Sequence, residues 1–245
     1  MNSRRTLTDM KKHAKGFTLV EMAIVLVIIG LLLGGLLMPL STQIENTRRN
    51  DTEKSLEALK QAVIGFALVN GRLPCPDKAD GGEQGPANDG QEDRNPGTGV
   101  CVSVEGNLPW VTLGTVELDS WGNRYRYRVT GSFADGIDGT GCGTATPGVS
   151  FELCSVGDMT IVNEVGGRNV ATNIPAIILS VGKNGLNAVS NNEIENTNTD
   201  SVFVDHIYTD NADPLTNPQG VIDDLIVWVS PNILFNRMVA AGRLP

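Results

Sequence analysis

The chain contains little histidine and none of the common catalytic patterns, so several classes of enzyme are excluded. It has two histidines, and only His206 lies beyond the first 16 residues. A single histidine cannot build a histidine-rich metal site, and no serine or cysteine is spaced as a nucleophile beside it. The segment Gly182–Gly185 contains a lysine but lacks the pattern of a phosphate-binding loop, and it predicts a hairpin turn. The sequence therefore predicts a protein that is not an enzyme.

Positive charge is scarce in most of the chain. Of the 19 Lys and Arg residues, five lie in the first 16 residues, whereas 26 of the 28 Asp and Glu residues follow residue 40. The part beyond residue 40 therefore carries a net charge of 14 − 26 = −12. A surface of this sign repels phosphate, so we expect no nucleic-acid partner. A local basic patch at Arg124, Arg126 and Arg128 would be the basis of a DNA-uptake alternative.

One long segment has almost no charge. Between Phe17 and Leu40 only Glu21 is charged, and about 20 apolar residues are enough for a helix to cross a membrane. The first 16 residues carry five basic residues against Asp9 alone, and by the positive-inside rule this end stays cytoplasmic. We therefore predict a membrane-spanning helix from Phe17 to Leu40, with a helix buried in a soluble core as the alternative.

The apolar segment is not followed by the small-residue cleavage site that ends an ordinary secretory signal, so we expect the helix to continue. Apolar residues recur near helical spacing through residues 41–70, with charged residues on the other face. Asn70-Gly71 and Pro74 predict the end of this amphipathic helix. Gly34-Gly35 and Pro39 weaken helical hydrogen bonding, and they allow a kink or a melted stretch near one membrane face.

Residues 71–245 predict a β-rich domain. Asp77–Gly99 is rich in glycine, proline and acidic residues, which indicates a long exposed loop. Tyrosine and arginine alternate within Arg124–Val129, which indicates a strand with one buried and one wet face, and the nearby Trp121 is expected in the core. Ser230-Pro231 predicts the start of a short C-terminal helix. The predicted strands are Arg124–Val129, Ser150–Leu153, Met159–Val165, Ala176–Val181, Val202–Tyr208 and Leu225–Val229.

All four cysteines follow the apolar segment, and they are Cys75, Cys101, Cys142 and Cys154. In an oxidising compartment an even number of cysteines indicates disulfides, here two, with three possible connectivities. A four-cysteine zinc site is the rival interpretation, but neither pair has the spacing of a zinc knuckle. We expect Cys75 to pair with Cys101 and Cys142 with Cys154, because neighbours in sequence close the smaller loops.

A short motif stands between the basic segment and the apolar segment. Its residues are Lys15-Gly16-Phe17-Thr18-Leu19-Val20-Glu21. It resembles the processing site of type IV prepilins and type II secretion pseudopilins. The resemblance implies that a prepilin peptidase cuts after Gly16, that the new N-terminal Phe17 is methylated, and that Glu21 takes part in assembly. It also implies contact with other pilin or pseudopilin subunits and with an inner-membrane assembly platform.

The resemblance also implies an architecture. It is an α+β fold in which a long N-terminal membrane-spanning helix packs on a small, mainly antiparallel β-sheet domain. Gly71–Pro76, Asp119–Tyr127 and Asp223–Trp228 resemble segments that recur in such proteins. The expected location is a single pass through the inner membrane with the C-terminal domain in the periplasm, or an extracellular filament. The expected domains are a cleaved leader (1–16), a long helix (17–70, transmembrane over 17–40 and amphipathic over 41–70), and a periplasmic β-rich domain with a short C-terminal helix (71–245).

The lone carboxylate of Glu21 needs a partner or a function, because a charge in an apolar span is costly. Cleavage would create an amine on Phe17, one helical turn away. A single helix pairs these two groups poorly, whereas staggered subunits of a filament could pair the Glu21 of one with the Phe17 amine of another. The expected function is a structural or minor subunit of a type IV pilus or type II secretion pseudopilus. The alternative is a monomeric membrane-anchored periplasmic binding protein, in which Glu21 would only reach the interface.

No cofactor is expected, although calcium is a weaker alternative. The stretch 182–213 is rich in Asn, Asp and Glu, and a related major pseudopilin holds calcium in the loop before its last strand. This stretch does not match that loop residue by residue, so a solvated loop is the preferred interpretation. The oxygen ligands would come from Asp200, Asp205, Asp210 and Asp213.

Overall fold

The computed structural model describes residues 16–78, 88–143, 145–210, 213, 215–217 and 220–244, with the backbone alone at 33–40. The basic leader predicted before Gly16 lies outside these residues. The chain divides into two compact units, Met1–Asn46 and Thr47–Pro245. The helices are α1 (Leu19–Asn70), α2 (Trp110–Leu113), α3 (Gly131–Ala134), α4 (Asn191–Thr197) and α5 (Pro231–Ala240). The strands are β1 (Glu105–Asn107), β2 (Arg126–Val129), β3 (Met159–Val162), β4 (Asn169–Ile174), β5 (Ala176–Ser180), β6 (Val202–Val204) and β7 (Leu225–Val229).

Helix α1 runs through Gly34-Gly35 and Pro39 as one element, so the melted stretch that these residues allow is not formed. It ends at Asn70, as predicted, because Gly71 takes a left-handed conformation at φ +71°. A Cβ at Gly71 would lie 1.9 Å from the carbonyl oxygen of Gly148. None of the helices, within the residues that the structure describes, is both long enough and apolar enough to cross a membrane.

The unit Thr47–Pro245 contains two sheets. Four antiparallel strands make the first sheet, in the order β1-β2-β5-β7. In the second sheet β3 lies between β4 and β6, and it pairs antiparallel with β4 and parallel with β6. The C-terminal part of α1 packs on one face of the first sheet, and the second sheet packs on the other face. The fold is therefore α+β with an N-terminal helix packed on an antiparallel sheet, as predicted.

The central strand β5 shows why the first sheet is covered on both faces. All five of its residues are buried. Ala176 and Ile178 belong to the cluster that includes α1, whereas Ile177 belongs to the cluster between the sheets. Because successive side chains of a strand point to opposite faces, a fully buried strand needs a layer on each side. The larger cluster includes Leu56, Leu59, Val63, Tyr125, Tyr127, Val129, Phe133, Leu234 and Met238.

One predicted strand, Ser150–Leu153, is wrong. Phe151 is buried there, and its ring stacks on Phe133 with centroids 4.9 Å apart. The Ser150 N–H donates to the carbonyl of Gly71 at 2.9 Å, and no strand ladder forms along this segment in the described structure. The apolar pattern predicted the burial correctly. A loop that crosses the core can bury its side chains just as a strand can, so burial alone did not indicate a strand.

Three further expectations need correction. The described part of the Asp77–Gly99 loop is not simply exposed, because Asp77 and Asp93 are buried and Asp77 bridges to Asn107. Trp121 is only half-buried and lies outside all three hydrophobic clusters, because it occupies a turn whose N–H groups bond the carboxylate of Asp119.

The strands predicted at Met159–Val165 and Val202–Tyr208 are shorter than expected. Strands β1 and β4 and helices α2, α3 and α4 were not predicted, and most of them are too short to show a period.

Candidate processing and assembly site

Gly16, Phe17 and Thr18 precede the first turn of α1. Phe17 exposes 83% of its surface, and a Cβ at Gly16 would meet no described atom within 4 Å. The residues on both sides of the predicted cleavage bond are thus accessible within the described structure.

Thr18 and Glu21 form a capping box at the start of α1. The N–H and the Oγ1 hydroxyl of Thr18 each donate to Glu21 Oε2 at 2.8 Å, and the Glu21 N–H donates to Thr18 Oγ1 at 3.2 Å. These bonds satisfy backbone donors that a helix start leaves free. The sequence reasoning missed this role of Glu21, although Thr-x-x-Glu before an apolar run is the signature of a capping box. Both bonds to the carboxylate use Oε2, so Oε1 is available to accept a further hydrogen bond.

An apolar surface follows the capping box. Every residue from 17 to 32 is exposed, and Leu19, Leu26 and Leu31 expose 87%, 66% and 72% of their surfaces. Successive residues of a helix point in different directions, so this apolar surface encircles the helix. Glu21 is the only charged residue in this stretch. Such a surface exceeds the apolar patches of soluble monomers and indicates contact with lipid or with other helices.

The structure joins Cys75 to Cys101 and Cys142 to Cys154, which are the predicted pairs. Cys75 is fully buried, and its N–H donates to the carboxylate of Glu92 at 3.0 Å. The same carboxylate holds the guanidinium of Arg72 with two hydrogen bonds, at 2.5 and 2.7 Å. The first disulfide therefore lies beside a bidentate ion pair, just after the end of α1.

The arginines of the predicted basic patch are paired with carboxylates. Glu117 forms an ion pair with Arg124 at 2.8 Å, and Glu105 pairs with both Arg126 and Arg128. The side chain of Arg128 exposes only 11% of its surface. This face of the strand is therefore covered to a large extent rather than wet, and the DNA-uptake alternative loses its free basic patch.

The four aspartates considered for calcium do not come together as a metal site. Among the described residues, no group of three or more His, Cys, Asp or Glu side chains could hold a metal ion. Asp200 instead orders its own loop, because its Oδ1 accepts the N–H of Val202 at 2.8 Å. The other three candidates, Asp205, Asp210 and Asp213, belong to no such group in the described part of the chain.

A cluster of buried carboxylates lies near the glycine turn Gly182–Gly185. This turn joins β5 to α4, so the hairpin prediction is wrong. Two backbone N–H groups of the turn donate to Asp223 Oδ2, at 2.8 and 2.9 Å. Burial raises the pKa of Asp223 to about 6, and the nearby Glu193 is a further cause. Burial also raises the pKa of Asp224, to about 7. The sequence reasoning missed this cluster, because its members come from separate parts of the chain.

Residues 11–37 match the family model described as "Prokaryotic N-terminal methylation motif". The matched residues include the Gly16–Phe17 bond, the Thr18–Glu21 capping box and the first turns of α1. No curated protein and no solved structure matches the chain. The match therefore concerns the N-terminal segment, and the unit Thr47–Pro245 is characterised by its own geometry.

Proposed function

We propose a function from the premise that the chain carries the signature of the type IV prepilin and pseudopilin family, the N-terminal methylation motif at residues 11–37. The protein is a structural or minor subunit of a type IV pilus or type II secretion pseudopilus, and not an enzyme. A prepilin peptidase cuts it after Gly16, and the new N-terminus at Phe17 is methylated. It then assembles with other subunits on an inner-membrane platform through its N-terminal helix.

One observation carries this proposal. The methylation motif leads directly into a helix whose side chains from residue 17 to 32 are all exposed, and Glu21 is the only charge among them. Without a lipid or protein environment, this apolar surface would remain in contact with water at a large cost in free energy. In the proposal, lipid covers residues 17–40 before assembly and neighbouring helices cover them afterwards.

The capping box supports a specific role for Glu21 in assembly. Thr18 holds Oε2 of Glu21 with two hydrogen bonds, so the carboxylate is oriented before any partner arrives. Oε1 accepts no hydrogen bond from the residues that the structure describes. A charged amine from the Phe17 of a neighbouring subunit would find an ordered anionic acceptor there, and such charge-assisted hydrogen bonds are stronger than neutral ones.

The proposed location is a single pass through the inner membrane, with residues 71–245 in the periplasm. The five basic residues before Gly16 favour a cytoplasmic N-terminus. The two disulfides fit an oxidising compartment on the other side. A monomeric anchored binding protein would share this location, so assembly is what distinguishes the two functions.

The test replaces Glu21 with Gln in cells that contain the assembly system. Gln also serves in capping boxes, so Glu21→Gln removes the charge while it keeps the helix start. We expect cleavage after Gly16 and methylation of Phe17 to persist, as measured by mass spectrometry of the membrane-extracted protein. We expect the yield of sheared filaments to fall by about tenfold or more, because each subunit contact loses an ion pair in an apolar setting.

The matched control is Glu57→Gln, which neutralises another exposed glutamate of α1. Glu57 pairs with Lys60 at 2.5 Å on the surface, and surface ion pairs contribute little to stability. Filament yield should be unchanged in this variant at equal membrane levels. Equal assembly of the Glu21→Gln variant and the wild type would instead favour the monomeric anchor, and an uncut Met1 would contradict processing itself.

A further inference from the structure

The two outer strands of the first sheet are protected to different extents. At one side, β1 has three residues, includes the charged Glu105, and carries an extra bridge between Asp77 and Asn107. At the other side, β7 has the sequence Leu-Ile-Val-Trp-Val, without charge, proline or glycine, and it pairs only with β5 in the described structure. Charge, brevity and covering segments are the usual protections of a sheet edge. Strand β7 has five uncharged residues, and no described strand covers its outer side.

The outer strands of the second sheet are protected in other ways. The side chain of Asn196 covers β6, because its Nδ2 donates to the Val204 carbonyl at 3.1 Å and its Oδ1 accepts the Val204 N–H at 2.7 Å. Strand β4 pairs irregularly with β3, and its Asn173 has φ +59°. Bulges of this kind disturb an edge and discourage pairing. Among the described strands, β7 is thus the regular and uncovered edge.

A groove of about 350 Å³ lies beside this edge, within the unit Thr47–Pro245. Helix α1 forms one wall, the segment after β6 forms the other, and the start of β7 forms the floor. We call this groove the β7 slot. Its lining residues are Arg49, Glu53, Leu56, Asp205, His206, Ile207, Asp224, Leu225, Ile226 and Val227.

The β7 slot has an excess of negative charge. Arg49 is already engaged, since it lies 3.2 Å from a carboxylate oxygen of Glu53 and its guanidinium stacks 4.7 Å from the ring centroid of Tyr208. Asp224 Oδ2 accepts a hydrogen bond from Asn196 Nδ2 at 3.0 Å, but no Lys or Arg of the described residues lies within ion-pair distance of Asp205 or Asp224. Burial raises the pKa of Asp205 and raises that of Asp224 to about 7. Both ionised carboxylates would therefore be stabilised by a cation that enters the slot.

The rim of the slot is apolar and uncovered. Ile207 lies on this rim and exposes 81% of its surface, whereas the preceding residue, His206, is half-buried. An added strand places alternate side chains on the two faces of a sheet, and its main chain bonds the edge. A segment that alternates apolar and basic residues would therefore offer its main chain to the side of β7 that no described strand occupies, cover Ile207, and bring a cation to the carboxylates.

We propose that the β7 slot binds an extended basic and apolar segment of a partner protein as an additional strand beside β7. The backbone of β7 supplies affinity, Ile207 contacts an apolar side chain, and Asp205 and Asp224 select a lysine or arginine. This interaction surface lies outside the N-terminal helix. It can therefore operate in a membrane-bound subunit and in a filament, and its test does not depend on assembly.

The first experiment measures binding of a labelled, end-blocked peptide with the sequence Val-Lys-Val-Lys-Val to the full chain in detergent micelles at pH 8. Two comparison peptides have the sequence Val-Glu-Val-Glu-Val, or the lysine sequence with alternate backbone nitrogens methylated. We expect both comparison peptides to bind at least about tenfold more weakly, because one loses the charge attraction and the other loses the edge hydrogen bonds. Hydrogen exchange should slow at Leu225–Val229 when the lysine peptide is added.

The second experiment compares matched variants of the chain. Ile207→Lys and Asp205→Asn should each weaken binding of the lysine peptide by about fivefold or more, because the first adds repulsion and the second removes attraction. Leu215→Lys and Asp210→Asn make the same changes at exposed positions outside the slot, and they should leave binding unchanged. Far-ultraviolet circular dichroism checks that all four variants fold.

Three outcomes would overturn the proposal. The lysine peptide could fail to bind, or it could bind as tightly after N-methylation, which would exclude strand addition. The slot variants could bind as well as their controls, which would place the site elsewhere. Finally, Leu225–Val229 could be protected without peptide at high protein concentration and exposed in Ile207→Lys, which would identify a second copy of this chain as the occupant.

Discussion

Two sections of the same helix are rich in apolar residues and differ completely in burial. In residues 19–32 of α1 every side chain is exposed. In residues 47–70 of α1, Leu56, Leu59 and Val63 expose 1% of their surfaces or less, and they belong to the main hydrophobic cluster. The first section has one charged residue, whereas the second carries ion pairs such as Arg49–Glu53 on its solvent side.

The difference shows that apolar content alone does not locate a core. The second section has an apolar stripe, and one domain of the chain can cover a stripe. The first section is apolar in all directions, so a single domain face could cover only part of it. In the proposed function, its cover comes from lipid or from several other helices. Burial in one section and exposure in the other are thus consequences of how the apolar residues are distributed around the helix.

The largest change in stability is expected when the pH is varied, because the unit Thr47–Pro245 contains buried carboxylates. The raised pKa of Asp224, about 7, means that the folded unit binds this proton more tightly than the unfolded chain does. The stabilisation is fully present below the ordinary pKa near 4 and is lost as the pH rises through about 7. We expect the free energy of unfolding of the unit Thr47–Pro245 to fall by about 4 kcal/mol between pH 4 and pH 8 from this group. Urea unfolding measures it.

The control for the pH effect is Asp224→Asn, which stays neutral and can still accept the hydrogen bond that Asn196 donates to Asp224. Its unfolding free energy should lose the part of the pH dependence that Asp224 contributes and keep the part that the raised pKa of Asp223 contributes. Asp210→Asn, at an exposed position, should keep the wild-type dependence. A wild-type protein that becomes more stable as the pH rises from 4 to 8 would contradict the argument.

The second prediction concerns the disulfides, which lie only in the unit Thr47–Pro245. Replacing Cys75 and Cys101 with Ala should lower the unfolding free energy by about 3.5 kcal/mol, and the same change at Cys142 and Cys154 by about 3 kcal/mol. The order follows from the sequence separations of 26 and 12 residues, since a longer loop restricts the unfolded chain more. Non-reducing peptide mapping should first establish the pairs. A cross-link between Cys75 and Cys154 would refute the connectivity.

The third prediction tests the helix sections directly with the same substitution. Leu59→Ala should destabilise the unit Thr47–Pro245 by about 3 kcal/mol, because it leaves a cavity in the core. Leu26→Ala, in the exposed section, should change that unfolding free energy by less than about 0.5 kcal/mol. Near-ultraviolet circular dichroism in detergent follows the aromatic core during unfolding. Equal effects of the two substitutions would break the comparison.

The smallest effect is expected at the helix start. Thr18→Ala removes the capping box with Glu21 and should cost about 1 kcal/mol of local helix stability. Hydrogen exchange should be faster in the first turn of α1, without a change in the unit Thr47–Pro245. Thr18→Ser keeps the hydroxyl and should restore the wild-type exchange rates. Slow exchange in Thr18→Ala would show that the box contributes nothing.

Several elements could be predicted because their signals are local. The end of α1 depends on Asn70-Gly71, the start of α5 on Ser230-Pro231, and β7 on a continuous apolar run. Strand β1 and helix α3 could not be predicted, because three or four residues show no period. The capping box of Thr18 and Glu21 is different, since its spacing is visible in the sequence and was overlooked.

Features that depend on neighbouring residues could be predicted without a structure. These are the processing motif around Gly16, the encircling apolar surface after Phe17, and the amphipathic stripe that ends at Asn70. Each follows from chain chemistry within a few helical turns, where spacing along the sequence sets direction in space. The disulfide pairs were also predicted, because short loops close at the smallest entropic cost.

The arrangement of residues that are distant in sequence depends on how the chain folds. It packed a layer on each face of β5, brought Glu193 beside Asp223 and Asp224, and placed β7 at the end of its sheet, with no outer partner among the described strands. None of these features has a local signal, because burial and strand neighbours depend on which segments meet across the fold. A one-residue shift in strand register would have turned the same side chains to the opposite face.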